Sequence, residues 1–181
     1  MTFDPNKTLV VALVYPDAAL TTDAAEWLAR HRLLPGRMFY YMRKDSIDMV
    51  RCAAVAAALK AAGPEVEQFL LLDRDMRPDA RSDPVLTADG DVVGATYPLP
   101  RADAWADAGA VHLGLVRVHR RVFEALLAQE ERKPLFYFAR TPDGARATGC
   151  ECHWFASRAQ QAGFTVVRAG YAEHGQRKRE A

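Results

Sequence analysis

Two uninterrupted apolar runs constrain this chain more than any other feature of it. Residues 9–15 read Leu-Val-Val-Ala-Leu-Val-Tyr and residues 69–72 read Phe-Leu-Leu-Leu. Short runs without polar alternation suit strands buried on both faces, and such strands occur where helices cover both sides of a sheet. Each run ends on a chemical break, Pro16-Asp17 after the first and Asp73-Arg74-Asp75 after the second. Helical patterns separate the strands. Asp23 is placed to cap a helix carrying Trp27 and Leu28, with Glu26 three residues on and Pro35-Gly36 as its stop. Residues 37–42 read as a second strand. Asp45 or Ser46 then caps a helix to about Lys60, with Ile47, Val50, Ala54 and Ala58 at helical spacing. Further strands are predicted at 66–72, 91–97, 112–118 and 164–167, with an apolar patch at 135–138 and helices at about 120–129 and 151–162. This order predicts an α/β fold, a mixed and mostly parallel sheet flanked by helices. Ligands in such sheets sit beyond the carboxyl ends of the strands, which puts Asp17, Asp73 and Asp75 on one edge.

Composition narrows the class. Half of the 181 residues are apolar and 26% are charged, enough for one domain with a full core. The formal charge of +1 disfavours a protein built to coat nucleic acid. No segment is long and apolar enough to span a membrane, and residues 1–6 lack the pattern of a signal peptide. Cys52, Cys150 and Cys152 are too few and too odd in number for a disulfide scaffold. The expectation is a cytoplasmic chain with a single domain over residues 1–181, its core at about 8–175 and a basic tail at 176–181.

The acidic pair after the third strand carries the most chemistry. Asp73 and Asp75 are hard oxygen ligands two residues apart, suited to Mg2+ or Mn2+ bridging to a diphosphate. An acidic turn after a strand is the plain structural alternative. Phosphatases of the haloacid-dehalogenase type also carry Asp-x-Asp after a strand. They place it near the N-terminus with Thr or Val two residues beyond, where this chain has Arg77. Cys150-Glu151-Cys152-His153 invites a zinc reading, but lacks a second ligand pair at suitable spacing. His112 and His119 stand an odd number of residues apart on one predicted strand, so at most one of them faces a site. Trp105 and Trp154 are available for stacking or for packing.

Taken in order, the motifs resemble the GT-A class of glycosyltransferases, in particular small family-2 enzymes of the kind carried by bacteria and phages. The resemblance runs through the strand ending at Pro16, Arg51 as the Arg of an Arg-Asn pair with Cys52 in place of Asn, and Leu72-Asp73-Arg74-Asp75-Met76 as the strand with its Asp-x-Asp motif. It continues through residues 112–123 as the acceptor-side strand and helix, Glu151 as the Glu of a Glu-Asp pair, and His174 near the end. Cys152 stands where the Asp of that pair would be.

The resemblance implies a Rossmann-related GT-A fold and a metal-dependent transfer, with inversion, from a nucleotide sugar such as a UDP- or GDP-sugar. It implies Asp73, Asp75 and His174 as metal ligands, and Pro16, Asp17, Arg51, Asp73 and Arg74 as contacts of the nucleotide. Glu151 is the implied general base, with His153 sharing or replacing it. The acceptor is open among glycan, lipid, protein and nucleic acid, the last disfavoured by charge, and a homo-oligomer is also left open. For a phage-encoded chain the location would be the host cytoplasm. A non-catalytic nucleotide- or sugar-binding domain on the same fold is the alternative that Cys152 raises. A phosphatase is the third reading.

Overall fold

The computed structural model of the protein describes residues 3–14, 19–33, 46–96, 111–129, 134–137 and 150–175, and the backbone of 35–40. After a 3-10 turn at Pro5–Lys7 the elements run β1 (Thr8–Val14), α1 (Thr22–Arg30), β2 (Pro35–Tyr40), α2 (Ile47–Ala61), β3 (Gln68–Asp73) and β4 (Met76–Pro78). A 3-10 turn at Ala80–Ser82 follows. Then come α3 (Pro84–Thr87), β5 (Val92–Thr96), β6 (Leu115–His119), α4 (Arg120–Leu127), α5 (Glu151–Gln161) and β7 (Val166–His174).

The strands form one seven-stranded sheet in the order β2-β1-β3-β6-β5-β7-β4. β2, β1 and β3 run parallel; β6 reverses between β3 and β5; β7 runs with β5, and β4 reverses again. The architecture is the expected mixed α/β sheet, largely parallel in strand direction. β1 and β3 are buried along nearly their whole length, as uninterrupted apolar runs require. One face packs Val11, Leu13, Phe69 and Leu71 against α2, α4 and α5, where Phe123, Phe136 and Phe155 stack with centroids 5.0 to 6.5 Å apart. The other packs Val10, Leu70 and Leu72 against Trp27, Leu28, Val85 and Leu86. No helix among the described residues is long and apolar enough to cross a membrane.

Several local expectations are corrected. Thr21, not Asp23, caps α1: its Oγ1 accepts from Ala24 N at 3.1 Å and donates to the Met76 carbonyl at 2.7 Å, tying the helix start to β4. α1 also ends before Pro35-Gly36. Leu33 N reaches back to the Leu28 carbonyl at 2.8 Å, and Arg32 takes the left-handed conformation (φ 57°) at which such helix ends usually place glycine. The strand expected at 112–118 is β6, which starts at Leu115, so His112 lies ahead of it. Leu135 and Phe136 plug the core without forming a strand. The last strand is far longer than its apolar start suggests. It runs to His174 because β4 pairs with its polar end, and Gly170 (φ 77°) lies against the Arg81 carbonyl where a side chain would collide. The predicted turn at 141–144, Trp105, Pro16, Asp17 and the basic tail lie outside the described residues.

Asp83 fastens α1 to the segment before α3. Its Oδ1 lies 2.9 Å from each of Trp27 Nε1, Arg30 Nη2 and His31 Nε2. Burial pushes the Asp83 carboxyl up, but the bonds from Trp27 and His31 and the nearby charges hold it below the usual range. A carboxylate depressed in the fold stabilises above its unfolded pKa and loses that contribution as pH falls through the folded value. Asp83→Asn is therefore expected to cost about 1 kcal/mol at pH 7, a figure reduced for the partial exposure of the side chain. The gap to the parent should close below about pH 4 in urea titrations at a series of pH values.

Candidate active site

The site is built at the carboxyl ends of β1 and β3. β3 carries Asp73 as its final residue, in register with Leu13 of β1, and Asp73 N donates to the Gly114 carbonyl at 2.8 Å. The following turn is pinned by Arg74 N, which donates to the Leu13 carbonyl at 2.9 Å, so Arg74 sits between the two carboxylates in sequence and at the mouth of β1 in space.

Arg51 is the centre of this edge. It lies in the second turn of α2 and is 3% exposed. Its Nη2 donates to Asp73 Oδ2 and its Nη1 donates to Glu151 Oε1 at 2.9 Å. Burial works against the Arg51 charge, and Asp73 and Glu151 more than offset it, so its pKa is raised. The resemblance assigns Arg51 to the nucleotide. The structure encloses the guanidinium between two carboxylates, where it joins the end of β3 to the first residue of α5.

Asp75 and His174 form the second half. Pairing of Met76 with His174 across β4 and β7 brings the imidazole to the strand end next to the acidic turn, and His174 Nε2 lies 3.4 Å from Asp75 Oδ2. Gly175 N donates to the Asp75 carbonyl at 2.7 Å, and a side chain at Gly175 would press on that same oxygen.

Among the described residues Asp75 and His174 come together, while the three-ligand cluster whose atoms lie close enough to hold a metal ion is Cys150, Glu151 and Cys152, not Asp73, Asp75 and His174. Asp73 Oδ1 is buried with no hydrogen-bond partner among the described residues. Burial pushes the Asp73 carboxyl up against the pull of Arg51, and the Asp75 and Glu151 charges add to the rise. A cation reaching Asp73 would meet the orphaned oxygen and relieve the repulsion from Asp75 and Glu151, but as placed Asp73 is drawn to Arg51 and not gathered with Asp75 and His174.

Glu151 opens α5 and is 5% exposed. Its Oε2 accepts a long hydrogen bond, 3.4 Å, from Cys150 Sγ. Cys152 is buried beside it. His153 is exposed, about 200° around the helix from Glu151, and so faces away from the carboxylates. Sequence reasoning missed His112 as a member of this edge. The imidazole is buried and within electrostatic reach of Arg168, Glu151 and His174; burial first, then the Arg168 charge, holds its pKa below the usual value. The signal available in sequence was only that one of two histidines near the strand faces a site. Beside the Arg51 bridge, Met49, Cys52, Phe136 and Tyr137 line an open groove of about 540 Å³. Tyr137 meets Trp154 edge to face at 5.4 Å.

No protein-family model matches the chain, and no curated protein matches it by sequence. Solved structures do. The catalytic domain of Drosophila beta1,4galactosyltransferase 7 in complex with xylobiose superposes with a TM-score of 0.61 at 15% identity, over 96% of this chain and 73% of that one. A mutant of the Drosophila enzyme in complex with manganese, UDP-Gal and xylobiose gives 0.60 at 14% identity, over 94% and 71%. A protein from STIV gives 0.57 at 15% identity, over 92% and 83%. At these identities the likeness establishes the fold, a GT-A-type α/β architecture, and leaves chemistry to the residues.

The Arg51 bridge has a direct test in stability. Arg51→Met leaves the buried Glu151 and the half-buried Asp73 without their cation and is expected to cost about 3 kcal/mol in urea denaturation near neutral pH. Asp73 would then titrate still higher in the folded state than in the unfolded chain. Stability from such a group is present at low pH and lost as pH rises, so the deficit should narrow toward about pH 4. A deficit that stays constant from pH 4 to 8 would contradict the bridge.

Proposed function

We infer that this chain is a metal-dependent glycosyltransferase that moves a sugar from a nucleotide-sugar donor to an acceptor hydroxyl, with inversion at the sugar carbon. The observation that carries the reading is the Arg51 bridge, which fixes the strand-end carboxylate Asp73 and the helix-start carboxylate Glu151 on one edge that also holds Asp75 and His174. The GT-A-type fold supports it, as does the manganese and UDP-Gal complex of a structural neighbour.

Asp75 and His174, joined by Asp73 on binding, would hold Mn2+ or Mg2+; bound there, the cation supplies charge neutralisation of a leaving diphosphate. Asp17, Pro16 and Arg74 are the proposed nucleotide contacts, for a UDP- or GDP-sugar. Arg51 acts on the carboxylates and not on the ligand. By occupying Glu151 Oε1 it fixes the orientation of that side chain. Oε2, held among the described residues by the long bond from Cys150, is the proposed acceptor of the hydroxyl proton. The apolar groove beside α2 and the Tyr137–Trp154 pair supply an open acceptor side. The three free cysteines fit a reducing compartment such as the cytoplasm.

Cys152 beside Glu151 supports a second reading, a domain that binds a nucleotide sugar without turning it over. The phosphatase reading is not carried forward. Its nucleophile would be Asp73, which is half-buried and engaged by Arg51.

Thermal shift with UDP and GDP, with and without Mn2+, tests the reading. At a hundredfold excess over Kd the nucleotide should add about 2.7 kcal/mol, a rise of roughly 5–10 °C in Tm. The rise should require the metal and vanish in Asp75→Ala. Glu151→Gln should keep it while slowing hydrolysis of the matching donor by roughly 10²- to 10⁴-fold. Binding without turnover in the parent selects the second reading. A chain that no nucleotide stabilises, with or without Mn2+, is not a transferase of this kind.

A further inference from the structure

The first turn of α5 carries two sulfurs that the proposed transfer does not use. Cys150 is the N-cap residue, and its Sγ accepts from Cys152 N at 3.3 Å. The ligand atoms of Cys150, Glu151 and Cys152 all lie within 4.8 Å of one another. Cys150 is half-buried and Cys152 is 6% exposed, so one sulfur is open to a small reagent and its neighbour is sheltered behind it. Both thiols are free. The third, Cys52, is engaged elsewhere, between the backbone N and O of Phe136 at 3.4 and 3.5 Å.

The two sulfurs are chemically unequal. A hydrogen bond from the Cys152 thiol lowers the Cys150 pKa against the effect of burial, and the same bond together with burial raises that of Cys152. Backbone N–H groups at a helix start favour a thiolate there. An attacking sulfur and a sheltered resolving sulfur within reach of each other are the parts of a peroxide-reactive pair. The same two atoms plus Glu151 also make a three-ligand cluster, in which Arg51 already takes Glu151 Oε1.

We propose that Cys150 and Cys152 are a redox pair that a hydroperoxide closes into a disulfide across the first turn of α5, releasing Glu151 from Cys150. The Cys150 thiolate attacks the peroxide O–O bond and takes one oxygen as sulfenic acid, while the other oxygen leaves with a proton as water or an alcohol. The Cys152 sulfur then displaces the sulfenic hydroxyl, which leaves as water with the proton from the Cys152 thiol. Two thiols are oxidised and one peroxide is reduced. The bond removes the S–H donor from Glu151 Oε2 and draws on the N-cap that starts the helix. A dithiol reductant reverses it. The effect on Glu151 rests on the proposed transferase reading; the bond itself does not.

Mass spectrometry decides the bond. Trypsin separates the pair, on residues 147–158, from Cys52, on residues 52–60. After hydrogen peroxide and alkylation, the 147–158 peptide should be lighter than its reduced form by two hydrogen atoms and carry no alkyl group. Dithiothreitol should restore both alkylation sites, and Cys52 should stay alkylated throughout. In Cys152→Ser, Cys150 should accumulate as sulfenic acid trapped by dimedone; in Cys150→Ser, Cys152 should not be trapped. A doubly alkylated 147–158 peptide after peroxide overturns the proposal, as does a bridge to Cys52. The parent chain alone supplies that result if a variant fails to fold. Donor hydrolysis should fall on oxidation and return with dithiothreitol. A bond that forms with hydrolysis unchanged overturns the link to Glu151 and leaves the transferase reading intact. A reduced chain with no hydrolysis fails the transferase reading, and the peptide mass still decides the bond.

Discussion

A single buried guanidinium holds the working edge of this fold together. Arg51 approaches from a helix and meets one carboxylate at the end of a strand and another at the start of a different helix. Each of the three groups would be costly alone in that environment, and each is tolerable because of the others. The constraint is mutual. α2 cannot rotate without abandoning Asp73, α5 cannot slide without abandoning Glu151, and the strand end cannot fray without exposing both. Precision at the site is thus a by-product of keeping charge out of an apolar core.

The rest of the sheet feeds that constraint. Apolar β1 and β3 give α2 a flat surface to pack on, and the aromatic stack of Phe123, Phe136 and Phe155 presses α5 onto the same layer. On the opposite face another buried arginine does a quieter task. Arg117 donates to the carbonyls of Val85 and Ala88 at 2.9 and 2.6 Å, fastening α3 to β6. The two arginines differ in consequence. The one that bonds to carbonyls satisfies backbone atoms that would otherwise be orphaned. The one that bonds to carboxylates fixes groups able to carry protons or ligands.

What the sequence conveys and what it hides follow from periodicity and distance. β1, β3, α2 and α5 are legible because burial on both faces, or on one helical stripe, writes itself into consecutive residues. Asp73, Asp75 and Glu151 are legible as breaks in those patterns. The polar half of β7 is not, because its pairing partner β4 lies far away in the chain and its own residues lack alternation. The α1 cap is misassigned because Thr21 and Asp23 are both good caps, and only the contact of Thr21 with Met76 decides between them. Arg51 is visible as a candidate but its role is not. Whether an arginine faces a ligand or two carboxylates depends on where a helix one hundred residues later comes to rest.

The pairing of β4 with β7 carries a consequence for how the protein is made. Asp75 is translated early and His174 late, and the strand that brings them together cannot form until both have left the ribosome. A nascent chain that has emerged only through α4 can lay down β1, β2 and β3 and bury Trp27 and Phe69. Its acidic turn then has neither Glu151 nor His174. During synthesis, therefore, the edge around Asp73 and Asp75 is completed only after α5 and β7 have emerged.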